Sequence, residues 1–140
     1  MKIRKMALLL VCCTAFFMLA ACAKKEPQTA TVSLPSNPTT GYSWKVTQSN
    51  EIFDITSEYV QGEGGAVGAG GYETFTLTPT GSGEDAVIFE YGRSWEEGAA
   101  SEVTYNLSVD KQMLIKVNSF KGSLPGTAEE MPDIPQIEIK

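Results

Sequence analysis

Tyr42-Ser43-Trp44-Lys45-Val46-Thr47-Gln48 alternates apolar and polar residues, sending Trp44 and Val46 to one side of an extended chain and Ser43, Lys45 and Thr47 to the other. A segment built this way is a half-buried strand. The pattern recurs at Phe75 and Leu77, at Val87, Phe89 and Tyr91, and at Tyr105, Leu107 and Val109. Burial of one face only points to antiparallel sheets. Working outward from this run, strands are expected near residues 29–34, 42–48, 52–60, 72–78, 86–91 and 103–117, the last long enough to bend or split at Asp110-Lys111. Gly, Pro, Asn and Asp clusters punctuate the runs, and none of them holds a 3.6-residue apolar period. An all-β, immunoglobulin-like antiparallel β-sandwich is the expected fold.

The ends read differently. Lys2, Arg4 and Lys5 precede an uncharged stretch from Met6 to Ala21, which reads as a bacterial secretion signal over residues 1–21. The stretch is too short for a spanning helix, which needs about 20 apolar residues. Leu19-Ala20-Ala21-Cys22 resembles the lipobox of bacterial lipoproteins, which implies that Cys22 becomes the first mature residue and carries lipid. Residues 22–29 then form a polar tether containing Pro27. Cys12 and Cys13 leave with the signal, so the exported domain is expected to fold without a disulfide or a free thiol.

With no histidine in the chain, zinc, copper and iron-sulfur sites are excluded and no cofactor is expected. Removing the three signal cations from 11 Lys plus Arg leaves 8 against 17 Asp plus Glu, a net charge of −9. Such a surface repels nucleic acid and anionic lipid, so the acyl chains would hold the protein at the membrane. The acidity itself reads as solubility. About 120 residues remain, enough for one domain, residues 30–120, expected as a monomer. Residues 121–140 are rich in Gly, Pro and acid and read mostly as a mobile tail, with Ile134, Ile137 and Ile139 as an alternative edge strand or sheet contact.

Three turn-forming segments sit between strand-like runs: Asn37-Pro38-Thr39-Thr40-Gly41-Tyr42, Gly68-Ala69-Gly70-Gly71 and Arg93-Ser94-Trp95. Their order and spacing resemble the chagasin family of cysteine protease inhibitors, whose pattern is an Asn-Pro-Thr-Thr-Gly-aromatic loop, a Gly-X-Gly-Gly loop and an Arg-Pro-Trp loop. The likeness covers roughly residues 30–120, with Ser94 standing where the family has proline. It implies an inhibitor of papain-like proteases, reversible and noncovalent, that inserts the three loops into the active-site cleft.

A loop that enters a cleft must be rigid beforehand, because ordering it on binding costs affinity. Pro38 fixes its own φ, Gly41 permits a positive φ, and Asn37 is expected to bond its own backbone to close the turn. Thr39 and Thr40 are then offered at the tip, placed by the resemblance at the enzyme's active centre. The resemblance sets the second loop along the unprimed side, with Ala66, Val67 and Ala69 as apolar contacts among Gly68, Gly70 and Gly71, and Tyr72 anchoring its end. It sets Trp95 against the primed side. Arg93 either hydrogen-bonds the enzyme or fastens its own loop to Glu96 or Glu97. The plainer readings are an ordinary turn for the first loop, a glycine hinge for the second and a core tryptophan for Trp95.

Catalysis finds little support. A Ser-His or Cys-His pair is impossible here, and Glu84-Asp85, Glu96-Glu97 and Glu129-Glu130 read as solvated charge, since neighbours on a strand face opposite ways. The glycine cluster lacks the lysine and following helix of a phosphate-binding loop. A surface module of the same fold that binds another envelope protein or an extracellular ligand is the competing reading.

Overall fold

In the computed structural model, which describes residues 27–64, 68–125 and 134–140, the alternating runs become strands of two antiparallel sheets. These are β1 (Ala30–Ser36), β2 (Tyr42–Gln48), β3 (Phe53–Gln61), β4 (Gly71–Pro79), β5 (Gly83–Arg93), β6 (Ser101–Val109), β7 (Ile115–Gly122) and β8 (Glu138–Ile139). One sheet has the order β3-β4-β1-β8 and the other β2-β5-β6-β7. The long run from Val103 splits as its sequence suggests. Asp110 Oδ1 accepts from the amides of Gln112 and Leu114, and Met113 takes a positive φ of 62° to complete the reversal.

Alternation decides the core. Val32 and Leu34 of β1 and Phe75 and Leu77 of β4 meet Val87, Phe89 and Tyr91 of β5 and Val103, Tyr105 and Leu107 of β6, all buried. Phe89 stands at the centre, with Phe75 at 4.9 Å and Tyr105 at 5.9 Å in edge-on contact. Burying each such side chain stabilises the fold by roughly 1.5–3 kcal/mol.

Two expectations are corrected. The domain does not stop near residue 120: β7 runs to Gly122, and Leu124 is buried in the core. At the far end, Ile134 and Ile137 pack on the core, β8 pairs with Ala30 and Thr31, and the buried Tyr105 hydroxyl donates to Pro135 O at 2.6 Å. The edge-strand alternative therefore describes residues 134–140; residues 126–133 lie outside the described ones. Asp85 is not solvated charge. It is buried, and its carboxylate accepts from the Ser49 amide and hydroxyl, the Asn50 amide and the Ile52 amide, clamping the turn between β2 and β3.

The topology fixes where the loops go. β1 ends beside the start of β4, and β2 starts opposite the end of β5. Residues 37–41 cross from one sheet to the other, residues 62–70 join β3 to β4 within the first sheet, and residues 94–100 join β5 to β6 within the second. All three emerge at one end, with the crossing loop in the middle. The N-terminal end of β1, the β8 pairing and the Asp85 clamp lie at the other end.

Candidate functional site

Loop one is a single 3-10 turn, Pro38–Thr40, closed by the Thr40 amide on Asn37 O (3.2 Å) and the Gly41 amide on Pro38 O (3.0 Å). Pro38 at the first turn position has no amide to leave unpaired. Gly41 ends the turn at φ 80°, a conformation that costs an L-residue with a Cβ roughly 1–2 kcal/mol. The Asn37 side chain makes no capping bond to its own turn; this corrects the sequence expectation. Its Oδ1 accepts from the Thr39 hydroxyl (2.6 Å), and its amide Nδ2 donates across to Gly68 O of loop two (3.2 Å). Asn37 therefore ties two loops together.

The threonine hydroxyls are already committed. Thr39 donates to Asn37 Oδ1, and Thr40 donates to Asn37 O at 2.6 Å. Both residues are exposed. What the tip offers outward is methyl surface and hydroxyl lone pairs, so a partner that hydrogen-bonds these hydroxyls must supply the donors.

Loop two is pinned at its base. The Gly62 amide donates to Gly70 O at 3.1 Å, and Gly71 lies so close to the Val60 carbonyl that any side chain there would collide with it. Gly68 has φ 87° in open space, and Gly70 faces Ser36 O at 3.3 Å from where a Cβ would sit. The motif thus combines one positive φ, at Gly68, with two close approaches, at Gly70 and Gly71. Ala69 is half-buried; Ala66 and Val67 lie outside the described residues. Tyr72 does not anchor the loop by burial: it is 54% exposed.

Loop three carries Trp95, which is 68% exposed, so the core reading does not hold. Its ring edge lies against Gly41, leaving no room for a side chain there. Arg93 sits directly opposite Tyr42 in the β2–β5 register, with its guanidinium 4.4 Å from the Tyr42 ring and 5.7 Å from the Trp95 ring. Nε donates to Thr40 O at 3.2 Å and Nη1 to Glu96 at 3.0 Å. The hydrogen bond to Glu96 pushes the Arg93 pKa up further from a value already far above neutrality, so this cation is permanent. Arg93 therefore fastens its own loop and also bridges loops one and three. Ser94 occupies the second position of the turn closed by the Glu96 amide on Arg93 O (3.1 Å).

Sequence reasoning missed the support beneath these loops. The Tyr91 hydroxyl accepts the Asn37 amide at 2.9 Å, its ring stacks on Tyr42 at 5.3 Å, and Trp44 Nε1 donates to Pro35 O at 2.9 Å. The available signal was that the inward-facing row of β5 ends in tyrosine instead of phenylalanine, placing a hydroxyl where the loops begin. Of the residues proposed from sequence, 37–42, 68–71 and 93–95 come together at one end. Val67 and the proposed lipidated Cys22 lie outside the described residues.

Comparison with known proteins follows the same outline. Residues 25–109 match the chagasin family peptidase inhibitor I42. The chain is 36% identical over 70 residues to chagasin of Trypanosoma cruzi, covering 46% of this chain and 64% of that protein. It is 40% identical over 83 residues to amoebiasin-1 of Entamoeba histolytica, covering 58% of this chain and 79% of that protein. Among solved structures, the cysteine protease inhibitor EhICP2 from Entamoeba histolytica aligns with TM-score 0.49 at 25% identity, over 57% of this chain and 77% of that one.

Proposed function

The chain belongs to the chagasin family of peptidase inhibitors, and from that membership we propose that it is a reversible, noncovalent inhibitor of papain-like cysteine proteases, not an enzyme. The observation that carries the reading is the clasped loop end. Asn37 joins loop one to loop two, Arg93 joins loop one to loop three, and Thr39, Thr40 and Trp95 remain exposed beyond these ties. Such a wedge is ordered before it meets its target, which removes part of the entropic cost of binding. The exposed tryptophan is the kind of anchor that supplies 2 kcal/mol or more at an interface. No observation favours the envelope-binding alternative.

The proposal extends to location. The lipobox-like Leu19–Cys22 supports an extracytoplasmic, lipid-anchored protein, and the geometry suits it. β1 starts at the end of the sandwich opposite the loops, so a lipid on Cys22 would hold the domain with its wedge facing away from the bilayer.

The test is titration of papain and a cathepsin L-type protease with the domain from Lys24 onward, alongside Thr39→Asp. We expect inhibition that is reversed by dilution and lost in the variant. Absence of inhibition by the unaltered domain at micromolar concentration would refute the reading. Metabolic labelling with palmitate, compared between the full chain and Cys22→Ser, tests the anchor: label that persists in the variant overturns it.

A further inference from the structure

We propose that the wedge has a fourth contact: an apolar row at the base of loop two, Pro35, Tyr72 and Val60, that rests on the rim of the target protease beside its unprimed cleft. This rests on the inhibitor reading above. The row is dictated by strand register. Pro35 of β1 lies opposite Tyr72 of β4, and Tyr72 lies opposite Val60 of β3, so the three side chains share the outer face of their sheet. Elsewhere that face is polar: the next matched row is Ser33, Thr74 and Glu58, and the one after it is Thr31, Thr76 and Thr56. Against this background Tyr72 and Val60 stand 54% and 55% exposed. Side chains on directly opposed positions are near enough to make one continuous patch.

Two observations point to the protease as the occupant. First, the patch is continuous with the wedge. Tyr72 follows Gly71 of loop two directly, and Pro35 stands only four residues before Thr39, within about 14 Å of the tip even for fully extended chain. A cleft deep enough to take the tip brings its rim to this level. Second, the row borders an open depression of about 360 Å³ lined by Pro35, Ser36, Asn37, Gly70, Tyr72 and Tyr91. Its walls come from loop one, loop two and the patch, with Tyr91 of β5 and Pro125 beyond β7 completing them, so a side chain projecting from the rim would touch both loops and the patch. Its lining holds proline, tyrosine and glycine beside Ser36 and Asn37 and no charged side chain, which suits an uncharged, apolar or aromatic side chain.

Tyr72→Ser and Val60→Ser test the proposal, because neither residue ties the loops to one another. We expect unchanged urea midpoints and inhibition constants raised at least tenfold for Tyr72→Ser and several-fold for Val60→Ser, with the loss differing between papain and a cathepsin L-type enzyme whose rims differ. Faster dissociation, with the association rate little changed, is the expected kinetic form. If Thr39→Asp abolishes inhibition while both serine variants inhibit as the parent does, the fourth contact is wrong and the wedge stands. If the parent inhibits neither enzyme, the inhibitor reading itself has failed. Concentration-dependent dimerisation lost in Tyr72→Ser would assign the patch to a second copy of the chain and overturn the proposal.

Discussion

Replacing Gly41 with alanine separates what the first loop does for folding from what it does for binding. The added methyl meets two obstacles. Gly41 sits at φ 80°, which for an L-residue with a Cβ costs roughly 1–2 kcal/mol. Its Cβ would also run into the edge of the Trp95 ring. Trp95 is 68% exposed and can swing aside with little loss of buried contact, so the fold should lose only about the backbone strain, roughly 1–2 kcal/mol. Inhibition should suffer more, because the displaced ring is the anchor of loop three. An anchor worth about 2 kcal/mol corresponds to about a 30-fold rise in the inhibition constant. Urea unfolding measures the first quantity and titration of papain the second. The decisive comparison is the double-mutant cycle with Trp95→Ala. In that background Gly41→Ala should still destabilise the fold but should weaken inhibition only slightly. An equal loss of inhibition in both backgrounds would show that Gly41 does not act through Trp95 and would refute the argument.

Other outcomes follow from the same geometry. Ser94→Pro places proline at the second position of a turn that favours it, at an amide that donates to none of the loop bonds described; stability to urea should rise by roughly 0.4–1 kcal/mol and inhibition should tighten by up to about fivefold. Asp85→Asn puts an amide among donors that need an acceptor, so the midpoint of unfolding should fall by an amount corresponding to about 3 kcal/mol, while the folded fraction inhibits as before. Tyr105→Phe removes the bond to Pro135 O, costing about 1 kcal/mol, and hydrogen exchange should speed up at the Thr29 and Lys140 amides that pair across β1 and β8. Burial raises the Tyr105 pKa above that of the unfolded chain, so its contribution is complete below about pH 10 and falls as pH rises toward the folded value. The parent should therefore lose stability in strong alkali by a share that is absent from Tyr105→Phe.

Strands were legible in the sequence because a half-buried strand must alternate. Trp44, Phe75, Val87, Phe89 and Leu107 could face only one way without exposing the core. Turn chemistry was legible for the same kind of local reason: proline and glycine restrict or free a dihedral wherever they stand. Asp85 was misread because a carboxylate beside a second acid looks solvated until the amides that surround it, from residues 49–52, are brought next to it by the turn. The residues near the end were ambiguous because three isoleucines in a proline-rich stretch say nothing of which edge they cover. Leu124 and the Tyr105 hydroxyl supplied that answer only in three dimensions.

The sequence by itself determined the strand pattern, the lack of histidine, and the three motifs that mark the family, since each depends on residue type or on neighbours a few positions away. Only the tertiary structure decided that the loops act as one body. Loop one is a crossing between sheets while loops two and three are hairpins within them, so the β1–β4 pairing puts Asn37 against Gly68 and the β2–β5 pairing puts Arg93 against Thr40, contacts separated by 31 and 53 residues, and the crossing loop joins the two. It also decided that Arg93 and the threonine hydroxyls turn inward to hold that arrangement. The reason is that hydrogen-bond partners are chosen by distance in space, which the chain order does not specify.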